Sequence, residues 1–237
     1  KKRLLCRPML VNCVAYEEGR RLADIDRGEI ASYLARPGCF VWVALLEATE
    51  AELEEMRAQF GLHELAVEDA RHGHQRPKIE EYGDSLFAAL HTVQIREDEW
   101  FVGEVDIFAG PNYVLTVRNN TQKGFSAVRA RCEREPELLR AGSGFVLYAL
   151  MDDVVDRYFP MLDKLEGELE RIEERMFAEE PGRATVLALY ELKQKLVLLK
   201  HAVEPLLEGV GKLYGGRVPK LRSEEHTSEL QSHHDLV

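Results

Sequence analysis

Long hydrophobic runs are missing from this sequence. Its longest stretches without Asp, Glu, Lys or Arg, such as residues 107–117 and 141–151, are 11 residues, and a membrane-spanning helix needs roughly 18 or more. Basic charge is also short: 31 Lys and Arg stand against 42 Asp and Glu, for a net charge of −11. Nucleic acid is therefore not expected as a partner, because phosphate binding needs a concentrated basic surface. An acidic surface attracts cations, although it also simply keeps a protein soluble. Cysteines are few and scattered: Cys6, Cys13, Cys39 and Cys132 form no C-x-x-C pair. That spacing argues against a zinc or disulfide framework and for a reduced compartment. No Gly-rich phosphate loop, G-x-S-x-G or H-E-x-x-H occurs. Glu80 and Glu81 beside Tyr82 have nothing converging on them, so no enzyme is expected. No secretory signal is seen, and Met9 reads as a start preceded by upstream residues.

The first half alternates strand and helix patterns. Residues 9–16 are apolar and β-prone. Asp26-x-x-Glu29 has the form of a capping box and opens a short helix through Leu34. Residues 39–46 (CFVWVALL) read as a strand buried on both faces. Thr49-x-x-Glu52 is a second capping box, starting a helix to Phe60 that Gly61 ends. Residues 63–71 read as another short helix. Strands are expected at 85–95, 101–109 and 113–118, the last two joined by a Pro111-Asn112 turn. A helix is expected at about 125–134.

The second half changes character. Met151, Val155, Tyr158, Leu162, Leu165, Leu169, Ile172 and Met176 alternate steps of four and three, a heptad seam on one long helix. After Glu179-Glu180-Pro181-Gly182, a second seam runs through Leu189, Leu192, Leu196, Leu199, Val203, Leu206, Val210 and Leu213. Two such helices on a short turn pack antiparallel, with Pro205 expected to kink or loosen the second. The expected fold class is α/β: a mixed sheet flanked by helices, followed by a long antiparallel helical hairpin. We assign residues 9–143 to the α/β domain and 144–220 to the hairpin. Residues 222–237 continue no earlier pattern and read as a non-native or disordered tail.

Charge is densest in residues 65–84 (LAVEDARHGHQRPKIEEYGD). Glu68 and Asp69 precede a His-Gly-His-Gln-Arg-Pro-Lys loop, and Glu80 and Glu81 close it. His72 and His74 have zinc-ligand chemistry, although histidines on a Gly loop more commonly cap helices or bind backbone. Asp152, Asp153 and Asp156 are expected at the start of the long helix. Asp152 and Asp156 form a like-charge i, i+4 pair, which the N-terminal helix dipole or Arg157 would offset. The alternative is a hard divalent cation on carboxylate oxygens; magnesium keeps most of its waters and needs only one or two carboxylates.

The segment FGLHELAVEDARHGHQRPKIEEYGD (residues 60–84) resembles the hallmark segment of CorA-family cytosolic domains. FVLYALMDDVVDRYFPMLDKLEGELERIEE (residues 145–174) resembles the first long helix of that family. LKQKLVLLKHAVEPL (residues 192–206) is similar to the next, internal proline included. The resemblance implies the cytosolic magnesium-sensing and gating domain of a homopentameric magnesium/cobalt channel in the inner cell membrane, this segment lying on the cytoplasmic side. It implies that Asp69 contributes to a regulatory magnesium site between subunits, with cobalt as an alternative ion. Glu68 and Asp152 match positions linked to a second, weaker site. The stalk, membrane spans and Gly-Met-Asn loop of the family are expected outside this sequence, so the segment alone should transport nothing. The related ZntB-like zinc transporters and a soluble helical-hairpin adaptor are the alternative readings.

Overall fold

In a computed structural model, residues 9–73, 76–178 and 182–214 are described. Residues 1–8, 74–75, 179–181 and 215–237 lie outside them, including His74 and the segment 222–237. Seven strands form one mixed sheet: β1 (Met9–Glu17), β2 (Arg20–Asp24), β3 (Cys39–Leu46), β4 (Lys78–Tyr82), β5 (Ser85–Arg96), β6 (Glu99–Gly110) and β7 (Tyr113–Asn119). Their spatial order is β2-β1-β3-β7-β6-β5-β4. Only the central β3–β7 pair is parallel; its neighbours on each side are antiparallel. The β5–β6–β7 meander closes with Gly110 opposite Tyr113, so Pro111 and Asn112 make the expected tight turn.

Alternation along the strands sends two sets of side chains into two cores. Val41, Val43 and Leu45 of β3 share one core with Phe87, Phe108 and Leu115. That face is covered by α1 (Ile30–Leu34), α2 (Glu50–Phe60) and α3 (Glu64–His72). The other face presents Trp42, Leu90, Val105, Ile107 and Val114. It is covered by α4 (Ser126–Arg134), α5 (Pro136–Leu139) and α6 (Ser143–Asp156). β3 has helices on both sides, which is why it reads as an unbroken apolar run.

The capping boxes form as expected. Thr49 Oγ1 accepts from the Glu52 amide at 3.3 Å, and Glu52 Oε2 accepts from the Thr49 amide at 3.0 Å. Asp26 N likewise donates to Glu29 Oε2 at 2.9 Å. Gly61 ends α2 in the left-handed region at φ 65°, where a Cβ would be strained.

The single long helix expected from Met151 is instead two helices. α6 ends at Asp156, and α7 (Phe159–Ala178) starts after a turn at Arg157 and Tyr158. The seam passes through the break because Tyr158 is itself buried, donating its hydroxyl to the His91 carbonyl of β5 at 2.5 Å. α8 (Arg183–Tyr214) remains one helix through Pro205. Its Gly209 is packed on β4 so closely that a Cβ there would stand 2.5 Å from Ile79 Cδ1. Every second seam position is buried: Leu165 and Ile172 of α7, and Leu192, Leu199 and Leu206 of α8. The positions between them, Leu162, Leu169, Met176, Leu189, Leu196 and Val210, stay 38–48% exposed. The buried hairpin residues belong to the same apolar cluster as Leu90 and Val105, so the hairpin roots in the sheet.

Candidate functional site

α3 is a two-and-a-half-turn helix whose Ala66, Val67 and Ala70 face the sheet. His63 caps it, Nδ1 accepting from the Leu65 amide at 3.3 Å. This anchoring leaves Glu68 exposed and Asp69 half-buried on adjoining sides of the helix. Asp69 Oδ2 meets Lys78 Nζ at 2.8 Å, and the same ammonium meets Glu80 Oε2 at 2.9 Å. Burial works against the Lys78 charge, yet its bonds to Asp69 and Glu80 hold the pKa above the ordinary lysine value. Tyr82 donates its hydroxyl to Glu80 Oε2 at 2.8 Å and stacks on His63. Burial, then that bond, pushes the Tyr82 phenol up to about 12.

Lys78 comes from a strand, not the loop expected at this position. β4 pairs with β5, setting Lys78 opposite Ala89, and Ala89 opposite Asp106 of β6. The small Ala89 side chain leaves the row open between them. Two acids that sequence reasoning missed lie under α3: Glu104 and Asp106, both buried. Burial, then the charges of Glu104 and Asp69, pushes the Asp106 carboxyl well above the usual carboxylate range. Their signal was present, since both stand at inward positions of the apolar strand VGEVDIF. Glu104 also borders a cavity of about 730 Å³ with Glu47, His72, His91, Asn119 and His201. This cavity opens at the carboxyl ends of the parallel strands β3 and β7.

Asp152 lies elsewhere. It occupies the last turns of α6, not the start of a helix, because α6 begins nine residues earlier at Ser143. The N-terminal dipole therefore cannot offset the aspartates; at this end it opposes them. Arginines do so instead: Arg131 Nη1 reaches Asp152 Oδ2 at 2.6 Å, and Arg157 Nη2 reaches Asp153 Oδ2 at 2.5 Å. α6 covers one face of the sheet and α3 the other, so one chain does not bring Asp152 to Glu68 or Asp69. His72 Nδ1 lies 2.9 Å from the Glu68 carbonyl, tied to its own helix, and His74 is outside the described residues.

Among the described residues no group of three His, Cys, Asp or Glu is arranged to hold a metal ion. What Asp69 offers is a single half-buried hard-oxygen donor. That fits a hydrated magnesium ion, which accepts one or two carboxylates and keeps its waters. It does not fit a zinc site, which needs three or four protein ligands.

The family model described as CorA-like Mg2+ transporter protein matches residues 38–235. The cobalt/magnesium transport protein CorA of Thermotoga maritima is 32% identical over 168 residues, 70% of this chain and 48% of that protein. The chain thus spans about half the length of the curated relatives it matches. Among solved structures, the full-length CmaX protein superposes with a TM-score of 0.70 at 20% identity, covering 86% of this chain and 63% of that one. The soluble domain of CorA from Methanocaldococcus jannaschii gives 0.65 at 17% identity, covering 92% and 84%. The ZntB cytoplasmic domain from Vibrio parahaemolyticus gives 0.58 at 10% identity, covering 78% of each chain. At these identities the structural likeness speaks for the fold alone.

Proposed function

This chain belongs to the CorA-like family of Mg2+ transporter proteins, and on that premise we propose that it is the cytoplasmic sensing and gating domain of a divalent cation channel. The observation that carries the reading is the Asp69 carboxylate. It is half-buried, ordered by α3, and held by a lysine rather than by a full set of metal ligands. Such a group is half of a cation site, and a neighbouring subunit of a pentamer supplies the other half. Glu68 and Asp152 form a second, weaker site in the same way: separated by the sheet within one chain, they meet only between chains. No helix among the described residues is long and apolar enough to cross a membrane, so the pore is assigned to other parts of a longer protein.

Magnesium is the regulatory ion in this reading, with cobalt as a substitute. Bound between acidic faces, it lowers their repulsion and favours the closed ring. When it leaves, the carboxylates repel and the ring loosens, because a ligand shifts an equilibrium by preferring one of its states. The test is proteolysis of the full-length protein with and without magnesium. Asp69→Ala should lose most of the magnesium protection, and unchanged protection would remove Asp69 from the sensing role.

A zinc transporter is the second reading, because the ZntB cytoplasmic domain has the same fold and fold alone does not separate the two. Transport assays on the full-length protein with magnesium, cobalt and zinc separate the two.

A further inference from the structure

We propose that Lys78 is a resident cation of the Asp69 site, a built-in competitor that a divalent ion must displace. The inference rests on the reading of Asp69 as a sensing carboxylate and concerns how that site is set. Two acids hold the Lys78 ammonium, and two more stand behind the first of them. Asp69 from α3 and Glu80 from β4 are bonded to it. Glu104 and Asp106 of β6 lie behind Asp69, with Asp106 in the cross-strand row that begins at Lys78.

The arrangement is built. Edge strand β4 places Lys78 and Glu80 two residues apart, on one side of the strand. Ala89 keeps the row open beneath the lysine stem. Tyr82 donates its hydroxyl to the same Glu80 Oε2 that meets Lys78, at 2.8 Å. The ammonium therefore stands where a cation bridging Asp69 to its surroundings would stand.

Two consequences follow from simple electrostatics. A divalent ion binding Asp69 forfeits the Lys78–Asp69 attraction, so its apparent affinity is lowered by the strength of that pair. Lys78 also cannot leave the neighbourhood, because Glu80 keeps hold of it. Once displaced from Asp69 it still repels the arriving ion. The lysine thus raises the concentration at which the site fills, as a sensor of an abundant cation requires. It also keeps Asp69 compensated when the site is empty.

The experiment is manganese binding to the full-length protein, followed by electron paramagnetic resonance, for the wild type, Lys78→Met, Lys78→Arg and Asp69→Asn. Removing a partly exposed ion pair should tighten binding by about fivefold in Lys78→Met. Lys78→Arg should keep the wild-type value, and Asp69→Asn should lose the binding. If Lys78→Met binds manganese equally or more weakly while Asp69→Asn loses it, the competitor role is overturned and the Asp69 site stands. If Asp69→Asn binds as the wild type does, the site reading falls and this inference with it. A second measurement needs no variant: the solvent exchange of the Lys78 ammonium protons, read by nitrogen-detected NMR. It should accelerate as magnesium is added, and an unchanged rate at saturation overturns displacement.

Discussion

Glu68 and Asp152 stand on opposite faces of the seven-stranded sheet, one on α3 and the other on α6. Each nevertheless has a local role that can be measured alone. Asp152 pairs with Arg131 at 2.6 Å, both side chains being partly exposed; Glu68 lends its carbonyl to His72. In urea unfolding of the isolated chain, the effects of Glu68→Gln and Asp152→Asn should add to within about 0.5 kcal/mol, as for sites without shared partners. Asp152→Asn alone should cost no more than about 1 kcal/mol. A larger coupling energy would place the two side chains in contact.

Gly209 sets the seat of α8 on the sheet. In an exposed helix, replacing Gly by Ala stabilises by about 1 kcal/mol. Here the added methyl would stand 2.5 Å from Ile79 Cδ1 and 2.7 Å from Ile79 Cγ1, and overpacking of that kind costs about 1–3 kcal/mol. Gly209→Ala should therefore destabilise, and the double variant with Ile79→Val should recover part of the loss. A Gly209→Ala chain that melts above the wild type would mean α8 sits further from β4.

Asp106 makes stability fall as pH rises. Buried against Glu104, its carboxyl holds a proton well above the usual range, whereas the unfolded chain releases it near pH ~4. Between those two values the folded state binds more protons, so each step upward in pH disfavours folding until the folded carboxyl has ionised. Asp106→Asn removes this dependence. Its melting temperature should exceed the wild type's at neutral pH, with the gain shrinking toward pH ~4. A gain independent of pH would show that Asp106 does not titrate in this way.

Thr49 secures the entry to α2 through its reciprocal bonds with Glu52. Thr49→Ala should cost about 1 kcal/mol, and Thr49→Ser should restore nearly all of it. Glu52 also meets Arg27 at 2.5 Å, so Glu52→Ala should cost more than Thr49→Ala in the same denaturation series. Equal losses would leave the Arg27 pair without weight.

The central strands and the capped helices were legible because their signals are local. CFVWVALL can only be a strand covered twice, and Thr49-x-x-Glu52 acts within one turn. The edge strands were not legible. β4 reads KIEEY and β2 reads RRLAD, mostly charged, because an edge strand has one apolar position to hide and a solvent side to keep soluble. The start of α6 was hidden from periodicity for the opposite reason, although the family resemblance began at residue 145. GSGFVLYALM is apolar almost all round, so no amphipathic period marks it, and the seam further on drew the helix start to Met151. The site followed the same division. Asp69 was visible in its motif, but Lys78, Glu104 and Asp106 gather there only through the register of three strands.

The parallel pairing of β3 with β7 carries a consequence for synthesis. Val41 pairs beside Tyr113, about seventy residues later in the chain, and the β4–β6 meander comes between. As the chain leaves the ribosome, β1, β2 and β3 can make a small antiparallel sheet, but its open edge is the hydrophobic β3. At roughly 5–20 residues per second, that edge waits several seconds for β7 to arrive. Distant pairings of this kind slow folding because the loop must close before contacts repay it. The nascent chain is thus most prone to self-association in that interval, and a ribosome-bound chaperone would find its substrate at β3.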